Sequence, residues 1–266
     1  MNNGLYNGLD NGLHNGVYEG NSNGVNDGLV ANETNADKIV TAGLILNIDA
    51  NNPKSYNNGE TKVYDISGNG LIGTSSGTFT SSVSGVRFWN FNGTNTSLNF
   101  GSSMLLKPQR TFTICFWAKP TLAGGGVYQT IFSYPPIFKL NIKHSSVNNG
   151  SLIYSYSSGF KYAIYSAPVN WIASEKWYQF TLVVNYSSLA NSFLYVNNSK
   201  IPQSDSSVSG TTLLPAPTTG DTVISSGNEG QYYNGKLGNF LMYNRILSVE
   251  EIGVNYEAYK NRYINQ

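Results

Sequence analysis

Residues 110–120 read RTFTICFWAKP, and their alternating pattern decides the fold. Every second position from 112 to 118 is apolar, and successive side chains of a β-strand point to opposite faces, so this stretch predicts a strand with one buried face. Residues 178–184, YQFTLVV, repeat the pattern. Further strand candidates, separated by Gly, Asn, Ser and Pro, are residues 43–49, 86–91, 151–156, 162–165, 192–197, 223–225 and 236–243. So many short strands predict an all-β fold of two packed antiparallel sheets.

One helix is predicted near the end of the chain. Ser248 and Glu251 have the spacing of a capping box, and Leu247 can pack against Ile252 across the cap. Apolar residues then recur at helical spacing, at Val249, Ile252, Tyr256, Tyr259 and Tyr263. We expect this short helix to pack on the sandwich as a C-terminal clasp.

The N-terminal residues follow a four-residue repeat. Glycine occupies every fourth position from Gly4 to Gly28, and an apolar residue follows most of these glycines, at Leu5, Leu9, Leu13, Val17, Val25 and Leu29. A helix is excluded because each glycine costs about 1 kcal/mol relative to alanine. An extended arm of this kind cannot bury its apolar residues alone, so we interpret it as an assembly arm that orders against sister subunits or a larger shell. A flexible linker is the alternative.

Three parts of the chain follow from these patterns. Residues 1–33 are the Gly-periodic arm, residues 34–41 are a linker, and residues 42–266 form the sandwich domain. The single Cys115 excludes an internal disulfide, so stability must come from burial of aromatic and aliphatic side chains and from any subunit contacts.

Charge and hydropathy exclude several kinds of partner. The formal net charge is +1 with no run of Lys or Arg, so no nucleic acid or anionic membrane surface is expected as a partner. The longest apolar stretches, such as residues 43–48, are far shorter than the roughly 20 residues that span a bilayer. No secretory signal is expected at residues 1–4, which have neither a basic start nor an apolar core.

Several segments in one order resemble a known family. They are residues 43–56 (GLILNIDANNPKSY), 65–70 (DISGNG), 91–95 (FNGTN), 177–180 (WYQF), 194–198 (LYVNN), 233–238 (YNGKLG) and 243–252 (YNRILSVEEI). Together they are similar to laminin-G-like, concanavalin A-type lectin domains, with Asn92 in place of the usual Asp. The resemblance implies a jelly-roll sandwich over roughly residues 42–263. Relatives of this kind serve as adhesive modules and as structural proteins of viruses and phages.

Catalysis is not expected. Glycan-cleaving relatives need two carboxylates on one strand, in a Glu-x-Asp-x-Glu pattern, and no such cluster occurs in this sequence. Two histidines, His14 and His144, make a Ser-His-Asp triad or a histidine metal site improbable. The sequence therefore predicts a binding protein and no enzyme.

Two kinds of ligand site are candidates. Calcium is the one cofactor considered, with Asp49, Asp65 and Asn69 as oxygen ligands, although the same residues can cap tight turns without a metal. Aromatic rings can stack on sugars, and the glycan-site candidates are Tyr154, Tyr156, Tyr162, Tyr165, Tyr232 and Tyr233. Cross-strand packing is the alternative role for each tyrosine, and the four tryptophans are expected in the core or the sheets.

The functional hypothesis combines these features. It is a noncatalytic virion-surface fibre, spike or decoration protein that attaches to host glycans and assembles through its arm. Its partners would be further copies of itself, other virion proteins and cell-surface glycans. The alternatives are a purely architectural capsid component without a soluble ligand, and an extracellular adhesion module of a cellular organism.

Overall fold

A computed structural model describes residues 38–76, 80–122, 128–134, 138–144, 149–156, 161–166, 172–185, 188, 191–202, 205–208, 220–226 and 230–264. The arm at residues 1–33 and its six apolar positions lie outside these residues. Residues 38–41, which the sequence assigned to the linker, are already part of the folded body. Ile39 is buried, and the backbone N–H of Val40 donates to Asn255 Oδ1 at 3.0 Å.

The described residues form seventeen strands and one α-helix. In chain order the strands are β1 Leu44–Asp49, β2 Lys62–Tyr64, β3 Ile72–Ser76, β4 Thr80–Val83, β5 Val86–Asn92, β6 Ser97–Asn99, β7 Thr111–Pro120, β8 Tyr128–Tyr134, β9 Phe138–His144, β10 Asn149–Tyr156, β11 Lys161–Ser166, β12 Tyr178–Asn185, β13 Phe193–Val196, β14 Ser199–Ile201, β15 Asp205–Val208, β16 Val223–Ile224 and β17 Asn234–Tyr243. A short 3-10 helix covers Met104–Leu106, and α1 covers Val249–Tyr263.

The strands form two antiparallel sheets. The eight-stranded sheet has the order β14-β13-β12-β7-β17-β5-β4, and β1 also pairs with β17. The nine-stranded sheet has the order β15-β11-β10-β9-β8-β16-β6-β3-β2. Consecutive hairpins such as β8–β11 are combined with pairs of distant strands such as β7–β17 and β6–β16, and the arrangement is the expected jelly-roll sandwich. All nine strand candidates from the sequence are present.

The main core lies between the two sheets. Phe240 of the eight-stranded sheet stacks on Phe132 of the nine-stranded sheet at 5.5 Å between ring centroids, and Phe112 meets Phe138 edge-on at 5.3 Å. All four rings are buried. These pairs join the inner faces of the sheets, as alternating apolar strands require.

A second core lies between the outer face of the eight-stranded sheet and α1. Tyr263 of the helix packs on Trp117 at 5.1 Å and on Trp177 at 4.6 Å between ring centroids. The predicted capping box is present, since the Ser248 side chain accepts from Glu251 N–H and the Glu251 side chain accepts from Ser248 N–H. The predicted clasp is therefore correct. Trp89, Trp117 and Trp177 are buried as expected, and Trp171 is outside the described residues.

Two turns explain landmarks of the sequence. Asn197 and Asn198 both have positive φ, 48° and 63°, between β13 and β14, which is the geometry of a two-residue type I′ hairpin. Asn92 Oδ1 accepts from the N–H groups of Thr94 and Asn95 at 2.9 and 3.0 Å. Asn thus performs at this turn the role that a capping Asp side chain performs.

Candidate functional site

The outer face of the nine-stranded sheet offers the candidate site, because α1 occupies the outer face of the other sheet. Strand β9 alternates here between core and exterior. Leu140 and Ile142 are fully buried in the main core, so Lys139, Asn141 and Lys143 lie on the outer face. The neighbouring strand β8 pairs with these positions of β9.

Two register pairs between β8 and β9 build the centre of this face. Tyr128 pairs with Lys143, whose ammonium nitrogen lies 5.3 Å from the centroid of the Tyr128 ring. Thr130 pairs with Asn141, and the Thr130 hydroxyl donates to Asn141 Oδ1 at 2.8 Å. Thr130 is 0% and Asn141 6% exposed. A cation–π pair therefore lies beside a buried polar pair of fixed geometry.

Tyr232 completes the arrangement. It forms an isolated parallel bridge with Thr130, and the Thr130 N–H donates to the carbonyl of Gln231 at 3.2 Å. Tyr232 and Tyr128 are both half-buried. We call Tyr128, Thr130, Asn141, Lys143 and Tyr232 the tyrosine–lysine surface.

The rim of this surface is held by hydrogen bonds between elements. The Gln129 side chain donates to the carbonyl of Thr121 at 3.0 Å and accepts from Asn234 N–H at 3.1 Å. Thr121 N–H in turn donates to the Asn234 carbonyl at 2.9 Å. Gln129 therefore ties β8 to the adjoining ends of β7 and β17, which gives the surface a rigid base.

Tyr233 was predicted as a glycan-site residue, and this prediction is wrong. Its side chain is 1% exposed, packs on Phe91 at 5.9 Å between ring centroids, and donates its hydroxyl to the Lys236 carbonyl at 3.2 Å. Burial, and then the negative charge of Glu175, raise the pKa of the Tyr233 phenol well above its usual value. Of two adjacent tyrosines, Tyr232 reaches the surface and Tyr233 belongs to the core.

The other four predicted tyrosines lie on β10 and β11, next to β9. Tyr154 pairs with Leu140 on β9, Tyr156 pairs with Phe138, and Tyr165 pairs with Leu152. Tyr162 pairs instead with Ser155. Strand pairing thus brings all four into the same sheet as the tyrosine–lysine surface, with Tyr162 at the register position of a polar partner.

Asp49 does not have the surroundings of a calcium ligand. Its carboxylate is 1% exposed and forms an ion pair with Arg262 at 2.6 Å, and its second oxygen accepts from Asn51 N–H at 2.8 Å. A guanidinium at this distance already neutralises the carboxylate, and a cation there would have to displace it. The assignment of Asp49 to a calcium site is therefore corrected to an internal ion pair.

Asp65 and Asn69 are brought together, but as a turn. Asp65 accepts from the backbone N–H groups of Asn47 and Ser67, both at 2.9 Å, and of Asn69 at 3.2 Å. The Asn69 side-chain amide donates to the carbonyls of Leu44 and Ile45. These contacts correspond to the alternative interpretation, a capped turn. In the described part of the chain, no group of three or more His, Cys, Asp or Glu side chains is placed to hold a metal ion.

Cys115 has no suitable surroundings for nucleophilic chemistry. It is fully buried under α1, and burial raises the pKa of its thiol to about 12. The thiol therefore stays protonated at neutral pH and behaves as a small apolar side chain.

The sequence analysis missed Tyr128, Thr130, Asn141 and Lys143. A signal for β9 was present, since residues 138–143 alternate Phe-Lys-Leu-Asn-Ile-Lys. Nothing in that alternation showed that β8 and Tyr232 would be its neighbours.

No helix among the described residues has the length and apolar character needed to span a bilayer.

The fold and this surface define a lectin-like β-sandwich. Residues 92–253 match the laminin G model of the concanavalin A-like lectin/glucanases superfamily. The chain belongs to this family. No curated protein matches the sequence significantly.

Two solved structures with the same fold are toxin binding domains. The binding domain of Paraclostridial Mosquitocidal Protein 1 matches with TM-score 0.59 and 19% identity over 82% of this chain. The binding domain of botulinum neurotoxin serotype D/C matches with TM-score 0.61 and 13% identity over 81%. This chain spans about half of each toxin domain, 52% in both cases.

A third structure is matched over almost its whole length. Domain 4 of an extracellular arabinanase from Geobacillus stearothermophilus, solved in complex with arabinotriose, has TM-score 0.58 and 15% identity. The match covers 82% of this chain and 98% of that domain. The match therefore extends over nearly the whole of that domain.

Proposed function

We propose that this protein is a noncatalytic carbohydrate-binding module, and that the tyrosine–lysine surface is where the sugar binds. The observation that carries the proposal is the match to an entire domain crystallised with an oligosaccharide. At this level of identity the match concerns the fold, so the site is argued from the residues of this chain.

The chemistry of the surface suits a sugar. Pyranose and furanose rings have apolar faces that pack on aromatic rings, and Tyr128 and Tyr232 expose part of theirs. Lys143 offers a polar group beside those rings for the hydroxyls of a sugar, whereas Asn141 is 6% exposed and accepts from the Thr130 hydroxyl. Because the Thr130–Asn141 bond is buried, little side-chain entropy is lost when a ligand binds.

Two observations support binding without catalysis. Two of the structures compared above are binding domains, and the third is a domain solved in complex with arabinotriose. The Glu175 carboxylate accepts a hydrogen bond from the Thr121 hydroxyl. Glycoside hydrolysis needs a second carboxylate across the bond that is cut.

A glycan array followed by calorimetry tests the proposal. We expect the purified protein to bind a subset of glycans. Tyr128→Ala and Tyr232→Ala should each weaken binding by about tenfold, which is the low end of the roughly 1–3 kcal/mol found for nucleic-acid bases stacked on aromatic side chains. Tyr64→Ala is the matched control. It removes a 36% exposed tyrosine from β2, at the far edge of the same sheet. Absence of binding to every glycan, with an unchanged melting curve, would reject the proposal.

We further propose that the protein is displayed on a virion surface as a fibre, spike or decoration subunit. The four-residue repeat of the arm supports this placement, because a segment that cannot bury its own apolar residues favours an assembled partner. Copies of this chain and other virion proteins would be those partners, and host glycans the outward ligand. An architectural capsid component or a cellular adhesion module are the other placements. A protein that binds no glycan, and whose loss breaks the particles, would favour the architectural role.

A further inference from the structure

Acidic residues are absent from the middle of the sequence. Residues 66–174 contain no Asp or Glu, and seven Lys or Arg. The formal net charge of the whole chain is only +1, so the acidic residues are concentrated in the two flanking parts. The nearly neutral chain therefore contains a long segment whose charged side chains are all basic.

The fold gathers part of this segment into one sheet. Strands β8, β9, β10 and β11 are consecutive neighbours in the nine-stranded sheet, and they contain three lysines, one histidine and no acid. Lys139 and Lys143 lie on the outer face of β9, since the intervening Leu140 and Ile142 are in the main core. The sheet face that carries the tyrosine–lysine surface is therefore locally basic.

Two of the described carboxylates are hydrogen-bonded to other side chains. Glu175 is engaged by the Thr121 hydroxyl, and Asp221 accepts from the Asn99 side chain at 2.9 Å. Asp205 lies on the edge strand β15, beyond β10 and β11. Apart from the ring of Tyr128, no partner of the Lys143 ammonium is described, and the side chain is only half-buried.

From this charge pattern we infer the class of sugar. We propose that the tyrosine–lysine surface binds an acidic saccharide, with the sugar ring on Tyr128 or Tyr232 and the carboxylate of a uronic or sialic acid at Lys143. This inference rests on the proposed function and specifies its ligand. The Lys143 ammonium lies over the Tyr128 ring, 5.3 Å from its centroid, so an acidic group bound at Lys143 is next to an aromatic side chain.

The energetics favour such a ligand over a neutral one. An ammonium–carboxylate hydrogen bond is stronger than a bond between neutral groups, and neighbouring positive charge raises the local concentration of anions. Two outward lysines are far too few to neutralise the phosphates that a nucleic-acid site contacts. A small anionic group fits the surface better than a polyanion.

The test compares two sugars that differ by one acid. Binding of lactose and of sialyllactose is measured by calorimetry or by NMR titration at about 50 and about 300 mM NaCl. The higher salt concentration shortens the Debye length, which falls with the inverse square root of the ionic strength. We expect sialyllactose, or an equivalent uronic acid oligosaccharide from the array, to bind at least about tenfold more tightly than its neutral counterpart at low salt. The higher salt concentration should reduce the difference in affinity between the acidic and the neutral sugar.

Two lysine variants locate the effect. Lys143→Met should remove most of the preference for the acidic sugar, because it should lower the affinity for the acidic sugar much more than the affinity for the neutral one. Lys62→Met is the matched control, since Lys62 is exposed on β2 of the same sheet, and it should change neither. Both variants are checked by thermal melting.

The outcomes separate the two proposals. If neutral and acidic sugars bind equally, or if Lys143→Met leaves the preference intact, the inference is wrong and the carbohydrate-binding proposal stands. If no saccharide of either kind binds, both are wrong. Stronger binding of a single-stranded oligonucleotide than of any acidic sugar would also overturn the inference.

Discussion

At the scale of single residues, the ion pair between Asp49 and Arg262 joins the first strand to the last helix. Asp49 is 1% and Arg262 11% exposed, with 2.6 Å between the charged atoms. The guanidinium also lies 5.0 Å from the centroid of the Tyr259 ring. Buried charges are tolerated only when they are paired, so each partner depends on the other.

Breaking this pair is therefore expected to be costly. Arg262→Met should lower the free energy of unfolding by about 3–5 kcal/mol, because Asp49 is left charged and unpaired in the interior. The double variant Asp49→Leu, Arg262→Met should recover part of the loss, since no unpaired charge remains. Chemical denaturation measures both.

A partly exposed pair on the same helix serves as the control. Glu257 and Lys260 form an i, i+3 ion pair on α1. The Lys260 side chain is 35% exposed and the Glu257 side chain 58% exposed. Lys260→Met should change the free energy of unfolding by no more than about 0.5 kcal/mol. Equal effects of Arg262→Met and Lys260→Met would contradict a structural role for the buried pair.

At the scale of elements, α1 depends on interactions at its first turn. The guanidinium of Arg245 contacts both oxygens of Glu251, at 2.7 and 2.6 Å. The hydrogen bonds from Arg245, and then that from the Ser248 backbone, lower the pKa of the Glu251 carboxyl from 4.5 to about 2. The same side chain thus closes the capping box and anchors the loop before the helix.

This lowered pKa makes stability depend on acidity. The ionised form of Glu251 is favoured in the folded state, so its contribution is complete above pH 4.5 and is lost as the pH falls toward about 2. Glu251→Gln keeps a side-chain acceptor for the cap and should reduce the loss of stability over this window. Thermal melting between pH 5 and about pH 2.5 measures the effect.

A second variant checks the cause. Arg245→Met removes the main source of the lowered pKa, so it should reduce the pH dependence in the same window as Glu251→Gln does. An Arg245→Met protein with the pH dependence of the original protein would show that Arg245 is not the cause.

The strands differ in how well the sequence predicted them. β7 and β12 were predicted within a residue of their observed bounds, because their alternation runs uninterrupted over seven or more positions. β8 was missed, and a register shift between Thr130 and Phe132 breaks its period-two pattern. β2, β6 and β14 have three residues each, which is too short for a periodic signal, and they form because a neighbouring strand pairs with them.

At the scale of the whole molecule, the described residues of the sandwich form two hydrophobic cores. Main-core residues come from both sheets, and α1 covers the second core. Folding of residues 38–264 should therefore not require residues 1–33.

Truncation tests the separate roles of arm and sandwich. A variant without residues 1–33 is expected to be a folded monomer with a melting temperature within a few degrees of that of the full chain, because the described core is left intact. Full-length protein should sediment as an oligomer. An oligomer of unchanged size after truncation would contradict the assembly role of the arm, and a loss of the folded state would contradict an independent sandwich.

The sequence by itself determined the β-sandwich, the capped C-terminal helix and the acid-free middle of the chain. The sandwich follows from alternation with a period of two residues, the helix from a cap between residues three positions apart, and the acid-free segment from composition. Each of these signals is local in the sequence. Only the tertiary structure decided that Asp49 meets Arg262, 213 residues away, and that Tyr232 and not Tyr233 reaches the surface. It also decided that β8, β9 and Tyr232 form one face. Contacts of this kind depend on which strands become neighbours and in which register, and no local pattern specifies either.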